Sequence, residues 1–152
     1  MLGSDDPIRR ALIETRTIAC IGASANPARA SRYVSEFLVS RGYRVIGVNP
    51  GLAGQRLFGE TVAGDLAELS QGPAPVDMID IFRASAHVLP VVERALECLP
   101  DLRVVWMQIG VRNAEAAALA EARGITVMQD CCPMVEYPRY FGDAMLADLA
   151  GD

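Results

Sequence analysis

The sequence lacks a long hydrophobic run. Its longest apolar runs are six or seven residues, whereas a helix that crosses a bilayer needs about 20. The N-terminal "MLGSDDPIRRAL" also lacks the basic segment and apolar core that are typical of a secretory signal peptide. We therefore expect a cytoplasmic protein with no membrane partner.

A surplus of basic residues is absent as well. The chain carries 14 basic and 19 acidic side chains, for a net charge of -5. A general nucleic-acid binder needs an excess of Lys and Arg to neutralise phosphates. The charge balance argues against that class, but it is compatible with a small basic pocket for one phosphorylated metabolite.

Metal-ligand patterns are poorly represented. The chain has a single histidine, His87, and none of its cysteines has the paired spacing of a zinc site. We expect no metal. In a reducing cytosol we expect free thiols that serve packing, at Cys20, Cys98, Cys131 and Cys132.

Short apolar runs, by contrast, alternate with helical patterns along the whole chain. Their near-continuous hydrophobicity, as in "VDMIDIF" and "RVVWMQIG", is typical of parallel strands covered on both faces. Five strands are predicted, over Thr17–Gly22, Arg44–Val48, Val76–Phe82, Arg103–Ile109 and Ile125–Gln129.

This alternation predicts an α/β fold: a single Rossmann-like, doubly wound domain with a five-stranded, mainly parallel sheet. A length of 152 residues fits one domain. We divide it into an N-terminal helix over 1–16, a core over 17–140 and a C-terminal tail over 141–152. The chain after residue 130 has a less regular pattern.

Local signals predict where the helices begin and end. Asp6-Pro7 indicates a start with proline in the first turn, and Gly42 indicates a stop. Ser85 and Asn113 are predicted to cap the helices that follow the third and fourth strands. A short helix around Asp65–Ser70 is predicted to link the second strand to the third.

The first strand runs into a turn that is typical of anion-binding sites. In "TIACIGASANPAR" Gly22 permits close backbone approach, Ser24 offers a hydroxyl, and Asn26 shapes the loop. Free N–H groups at the start of the next helix favour a phosphate. The G-x-G-x-x-G fingerprint is incomplete, so the turn alone also fits an ordinary strand–helix connection.

The end of the second strand lacks the acid that holds the ribose in a usual NAD site. It reads "VIGVNPGLAGQR", with Asn49 and Pro50 at the strand end and Arg56 further on. An amide and a cation tolerate extra negative charge on the ribose. NADP or a ribose 3′-phosphate therefore fits better than NAD.

The third and fourth strands end in "IDIFRAS" and "VVWMQIGV". Phe82 is a candidate to line an adenine or pantetheine groove, and Arg83 to pair with a phosphate. Gln108 and Gly110 follow the next strand. Because carboxyl ends of parallel strands share one sheet edge, we expect these residues to face a common crevice.

Five motifs in order carry a family resemblance: "IGAS" with Pro27, "GYRVIGVNP" with "GLAGQRLFGE", "VDMIDIFR", "VVWMQIGV" and "CPMVEYPR". Across roughly residues 17–140 the chain resembles the small YccU-like CoA-binding proteins. Their domain is similar to the CoA-binding Rossmann domain of succinyl-CoA synthetase alpha subunits and ADP-forming acyl-CoA synthetases.

The resemblance implies that the chain binds coenzyme A or an acyl-CoA. It places the pyrophosphate over Gly22, Ser24 and Asn26, and the adenosine beside Asn49 and Pro50. It implies further ligand contacts for Phe82, Arg83, Gln108 and Gly110, with Arg29 and Arg32 as phosphate candidates. Family members often carry a lysine after the second strand, where this chain supplies Arg56.

The expected role is a non-catalytic sensor, carrier or accessory subunit, because the synthetases use a phosphorylated histidine on a second domain. No Ser-His-Asp grouping is apparent in the sequence. The alternatives are a small NADP-linked oxidoreductase and an interaction module whose nucleotide site has decayed. The acyl group, and whether the chain pairs with an enzyme or forms a homo-oligomer, stay open.

Overall fold

The computed structural model describes residues 6–72 and 75–149. Five strands form a central sheet and two short ones a separate hairpin: β1 (Thr17–Ile21), β2 (Arg44–Val48), β3 (Arg56–Leu57), β4 (Glu60–Thr61), β5 (Met78–Ile81), β6 (Val104–Met107) and β7 (Thr126–Met128). The central order is β2-β1-β5-β6-β7, with every pair parallel. The α/β prediction is confirmed, and the sheet is wholly rather than mainly parallel.

Helices cover both faces of this sheet: α1 (Pro7–Glu14), α2 (Ala30–Arg41), α3 (Val88–Cys98), α4 (Ala114–Glu121), α5 (Pro133–Phe141) and α6 (Leu146–Leu149). α1, α2 and α5 pack together, while α3 and α4 pack together on the opposite face. Within residues 6–72 and 75–149, no helix combines the length and apolarity needed to cross a membrane.

Three of the predicted helix boundaries are confirmed. Asp6 Oδ1 accepts a hydrogen bond from the Ile8 N–H at 2.9 Å, with Pro7 in the first turn of α1. Gly42 ends α2 in the left-handed region at φ 112°. Asn113 Oδ1 accepts from the Ala116 N–H at 2.9 Å and so caps α4.

The prediction that Ser85 caps α3 is wrong. A 3₁₀ turn over Ser85–His87 precedes the helix, and His87 stands at its N-cap without a side-chain hydrogen bond. The Ser85 hydroxyl instead accepts from the Arg112 N–H at 2.9 Å. Ser85 therefore ties the loop after β5 to the loop after β6.

The link between β2 and β5 is more structured than the single short helix that the sequence predicts. The hairpin of β3 and β4 comes first, and Arg44 of β2 donates two hydrogen bonds of 2.9 Å to the carboxylate of Glu60 in β4. The predicted helix is a 3₁₀ helix over Leu66–Gln71. Asp65 and Glu68 form a capping box at its start.

The segment after residue 130 is more regular than expected, since α5 and α6 lie there. Pro133 in the first turn of α5 is the start signal. Tyr137 of α5 packs its ring edge-to-face against Phe37, Tyr43 and Phe141, with centroids 6.0, 6.1 and 5.1 Å away. The predicted tail continues to 152, and residues 150–152 lie outside the described part.

Alternation along the strands sends side chains into two apolar layers. Ile79 and Ile81 of β5 join the layer under α3 and α4, whereas Met78 joins the layer under α1, α2 and α5. Asp80 lies in register between Cys20 of β1 and Trp106 of β6, and it shares their face of the sheet. An acid thus occupies a position that its neighbours fill with apolar groups.

Candidate binding site at the strand ends

The sheet order reverses direction between β1 and β5, which is where open α/β sheets form their ligand crevice. Gly22 begins the turn after β1 with φ +89°. A Cβ at this position would lie 3.1 Å from the Phe82 carbonyl oxygen and 3.3 Å from Arg83 Cδ. Glycine is therefore required for the close approach between the ends of β1 and β5.

The loop from the turn to α2 is held by its own side chains. Ser24 Oγ accepts from the Asn26 N–H at 3.0 Å, and Asn26 Oδ1 accepts from the Ala28 N–H at 3.0 Å. No side chain in the described residues caps the start of α2 after Arg29. The first N–H groups of α2 are therefore left for solvent or an anion.

The four candidate arginines differ in the hydrogen bonds and ion pairs that their side chains already make. Arg32 donates to Glu36 at 2.8 Å and to the Ala25 carbonyl at 2.6 Å, and Arg56 donates to the Gly59 carbonyl at 2.6 Å. Within residues 6–72 and 75–149, neither Arg29 nor Arg83 makes a side-chain hydrogen bond or ion pair. Exposed and unpaired, these two are the guanidinium groups available to a phosphate.

Asn49 has a structural task in addition to any contact with a ligand. Its Nδ2 donates to the Ala23 carbonyl at 2.8 Å, and its Oδ1 accepts from the Gly51 N–H at 2.9 Å. It thereby joins the end of β2 to the turn after β1. One hydrogen on Nδ2 and one lone pair on Oδ1 remain for a ribose or base.

A large cavity, of about 1180 Å³, opens over the carboxyl ends of β1, β5 and β6. Its lining includes most of the predicted site residues: Gly22, Ser24, Asn26, Arg29, Asn49, Phe82, Arg83 and Gln108. The volume exceeds the ~300–1,000 Å³ usual for drug-sized ligands, so an elongated ligand suits it.

The lining of the large cavity changes from polar to apolar across the sheet. The turn after β1 and the end of β5 contribute the arginines and most of the polar groups. The loop after β6 and the start of α5 contribute Ile109, Val111, Met134 and Val135. The described lining contains no Asp, Glu or His.

A small cavity of about 450 Å³ lies beside the large one. The two share Gly22, Asn49 and Arg83. Pro50, Pro90, Val91 and Leu66 give the small cavity apolar walls, and Arg94 lies at its edge in an ion pair with Asp65 at 2.7 Å. A ligand that crosses Gly22 can therefore enter both cavities.

Four predicted site residues lie outside the large cavity: Arg32, Pro50, Arg56 and Gly110. Pro50 lines the small cavity, and Arg56 lies by another pocket between β2 and the hairpin. Arg32 lies in the first turn of α2 without lining either cavity.

Gly110 is likewise absent from both linings, and it forms a turn beside the large cavity. With φ +84°, it donates its N–H to Asp130 Oδ1 at 2.6 Å. That hydrogen bond, together with Arg112, lowers the pKa of Asp130.

Beneath the large cavity lies a buried polar pair. Gln108 Nε2 donates to Asp80 Oδ1 at 2.7 Å, and the second oxygen of Asp80 has no partner within the described residues. Burial raises the pKa of Asp80 to about 7, and the hydrogen bond from Gln108 opposes that rise. Asp80 is 1% exposed and lines neither cavity, so a ligand does not reach it.

The thiols at the site are not activated. Cys132 lines the large cavity, and burial raises its pKa above the ordinary thiol value. Burial also raises the pKa of Cys131 to about 11. His87 is exposed at the start of α3. In the part of the chain that the structure describes, no three His, Cys, Asp or Glu side chains cluster as metal ligands would.

Sequence reasoning missed the apolar contributions to the large cavity. Tyr33 of α2, Ile109 after β6 and Val135 of α5 line it while being 46%, 65% and 51% exposed. Such exposed apolar groups around one cavity are typical of a binding surface. The order of the elements could have revealed Tyr33 and Val135. Helices α2 and α5 each begin after a strand of the parallel sheet, so both start at the sheet edge where the cavity lies.

A wholly parallel sheet, cavities across its reversal point and two exposed arginines beside a glycine turn are typical of α/β domains whose crevice accepts a phosphorylated ligand. The comparisons make the assignment specific. The chain belongs to the CoA binding domain family, whose model matches residues 16–138. The family resemblance inferred from the sequence is confirmed.

Relatives cover nearly the whole chain. The Bacillus subtilis (strain 168) protein YneT is 33% identical over 130 residues, which are 86% of this chain and 91% of YneT. The solved structure of cell-free ID.343 from Thermus thermophilus is 35% identical, with a TM-score of 0.81 over 91% of this chain and 100% of that one.

A more distant likeness shows the fold alone. The dinucleotide-forming acetyl-coenzyme A synthetase 1 of Ca. Korarchaeum cryptofilum is 22% identical, with a TM-score of 0.60. The match covers 78% of this chain and 26% of the synthetase.

Proposed function

We propose that this protein binds coenzyme A or an acyl-CoA across Gly22, as a binding protein without a catalytic activity of its own. The observation that carries the proposal is the pair of cavities that meet at Gly22 and Arg83. CoA has an adenosine end and a pantetheine end joined by a diphosphate. Two cavities with a cationic junction suit that three-part shape.

The diphosphate belongs over the turn after β1. Gly22 permits its approach, the start of α2 supplies unpaired N–H groups, and Arg29 and Arg83 supply charge. A helix N-terminus contributes roughly 0.3–1 kcal/mol to an exposed anion. A hydrogen bond to a charged group contributes about 1.5–3 kcal/mol, less where solvent screens it.

The linings of the two cavities indicate which end of CoA each cavity would hold. The small cavity, with Pro50, Pro90 and Val91, offers apolar walls for the adenine. The large cavity, with Ile109 and Val135, suits the pantetheine arm, while Gln108 offers a polar contact. The acyl group of an acyl-CoA would follow the arm towards that apolar end.

The side chains around the large cavity support a binding role. General acid–base catalysis needs a group within reach of the ligand and a pKa near the working pH. The described lining has no carboxyl or imidazole, and the raised pKa of Cys132 keeps that thiol protonated at neutral pH. Burial raises the pKa of Asp80 to about 7, but Asp80 is 1% exposed and lines neither cavity, so it is out of reach of the ligand.

The test is a thermal melt with CoA, dephospho-CoA, NADPH and NADH. At ~100 times its dissociation constant a ligand adds about 2.7 kcal/mol, equivalent to about 5–10 °C for a domain of this size. We expect a large shift with CoA, a smaller one with dephospho-CoA and none with the nicotinamides. Preference for NADPH would favour the oxidoreductase, and no shift at all would favour a decayed site.

A further inference from the structure

Asp80 is a carboxyl group in the middle of an apolar sheet. It lies on the central strand β5 between Cys20 and Trp106, and it is 1% exposed. Burying a carboxylate is unfavourable unless a cation or several donors compensate it. Among the described residues Asp80 has no ion-pair partner, and its Oδ2 accepts no hydrogen bond. Because burying the Asp80 carboxyl is unfavourable and is not compensated here, we infer that Asp80 has a role beyond packing.

The hydrogen bond that Asp80 accepts holds the side chain of Gln108 in place. Gln108 Nε2 donates to Asp80 Oδ1 at 2.7 Å, and Gln108 lines the large cavity. The backbone of Gln108 is held as well, because its carbonyl accepts from the Val111 N–H at 2.8 Å. With its amide nitrogen directed at Asp80, Gln108 leaves its side-chain carbonyl oxygen to the cavity.

We propose that Asp80 is a positioning residue, whose carboxylate orients the Gln108 amide so that its carbonyl oxygen accepts a hydrogen bond from an N–H of the bound ligand. This inference rests on the proposed function, since the N–H groups in question are the amides of the pantetheine arm. Asp80 itself touches no part of the ligand.

The orientation depends on the charge of Asp80. An ionised carboxylate only accepts, so the amide nitrogen of Gln108 must face it. A protonated carboxyl both donates and accepts, so it no longer fixes one orientation: the amide can turn its carbonyl to Asp80 and present its NH₂ group to the cavity. In that turned orientation the NH₂ group of Gln108 would face the N–H of the ligand. Because two donors cannot form a hydrogen bond, the contact between Gln108 and the ligand would be lost.

Titration near neutral pH is specific to Asp80 within this cluster. Burial raises the pKa of Asp80 to about 7. Among the described residues, the other titratable groups whose charge interacts with it are three thiols: Cys20 of β1, and Cys131 and Cys132 before α5. Burial raises the pKa of each thiol, so all three stay neutral between pH 6 and 8.

The elements packed above the cluster add few other charges. On α5, Glu136 lies near the two thiols and pairs with Arg139 at 2.7 Å. The buried residues of α2 on this face are Ser31, Val34, Ser35 and Leu38, which carry no charge.

The orientation can be measured without a ligand. The side-chain amide signals of Gln108, followed by ¹⁵N NMR from pH 5 to 9, should shift with a midpoint near 7 in the wild type. Asp80→Asn should abolish the shift. Asp77→Asn is the matched control, because Asp77 lies just before the same strand at the opposite edge of the sheet and binds the Thr17 N–H at 2.9 Å. A wild-type signal that does not titrate would overturn the proposal.

The consequence for binding is measured by calorimetry with two probes, CoA and the β-methyl ester of adenosine 3′-phosphate 5′-diphosphate, in which a methyl group replaces the pantetheine arm of CoA. Both probes share the phosphate titrations, so their affinity ratio isolates the pantetheine arm. In the wild type and Asp77→Asn that ratio should rise about three- to tenfold from pH 6 to pH 8, the range of one hydrogen bond. In Asp80→Asn and Gln108→Leu it should stay constant.

Two outcomes contradict the positioning role. If Asp80→Asn retains the wild-type pH dependence, the carboxyl is not its source. If Asp80→Asn weakens the pantetheine-free probe as much as CoA, the residue acts through general structure. Failure of the proposed function looks different: the wild type would bind neither probe, while the NMR titration would still report whether Asp80 orients Gln108.

Discussion

Replacing Gly22 with alanine tests the geometry on which the site depends. The residue has φ +89°, a conformation that costs an L-residue about 1–2 kcal/mol. The new Cβ would also lie 3.1 Å from the Phe82 carbonyl oxygen, so the ends of β1 and β5 would have to move apart. Repacking of that kind typically costs a further 1–3 kcal/mol. We expect Gly22→Ala to lower the free energy of unfolding by about 2–5 kcal/mol in a urea titration.

Gly54→Ala is the matched control. Gly54 has nearly the same backbone angle, φ +87°, but a Cβ there would meet nothing within 4 Å. It should therefore show only the conformational cost, about 1–2 kcal/mol. If both variants lose the same free energy of unfolding, the contact with Phe82 is not restrictive, and the argument for close approach at the junction is refuted.

Other substitutions test individual contacts. Asn49→Ala removes two hydrogen bonds between β2 and its surroundings and should cost about 1–3 kcal/mol of unfolding free energy in urea, while a cost near zero would contradict its joining role. Asn113→Ala removes the cap of α4 and should cost about 1 kcal/mol in the same assay. In a Cys98→Ser background, alkylation of Cys131 should be slow at pH 7 and faster as the pH rises towards 11, because burial raises the pKa of that thiol; rapid reaction at pH 7 would contradict this. Because burial raises the pKa of Asp80 from 3.8 to about 7, the native state retains a proton that the unfolded chain releases. The stability of the wild type relative to Asp80→Asn should therefore fall by about 4 kcal/mol from pH 4 to pH 8 and level off above it, whereas a pH-independent difference would be inconsistent with the burial.

The sequence predicted the elements whose signals are local. The β-branched runs indicated all five parallel strands within a few residues, and Asp6, Gly42 and Asn113 marked helix ends through their own chemistry. Ser85 was misread because a serine before a helix resembles a cap whichever partner it binds. Here the partner is the Arg112 N–H, 27 residues away, which no local pattern reveals.

The candidate site was predictable in outline and not in detail. Glycine turns and strand ends locate the crevice, because parallel strands end at one edge of the sheet. Which arginines are available depends on tertiary partners: the engagement of Arg32 with Glu36 and Ala25 is visible only in the structure. Asp80 looked like one more strand residue, and its contact with Gln108 emerges only when β5 and β6 are neighbours.

The central claim is that CoA crosses the junction at Gly22 and Arg83. Its most direct test is the CoA dissociation constant, by calorimetry, of the wild type, Arg83→Gln and the control Arg123→Gln. Arg123 lines a pocket at the opposite edge of the sheet. We predict that Arg83→Gln weakens CoA binding about tenfold, the effect of one partly screened charge-assisted hydrogen bond, while the control matches the wild type. Equal affinity in all three proteins would contradict the account.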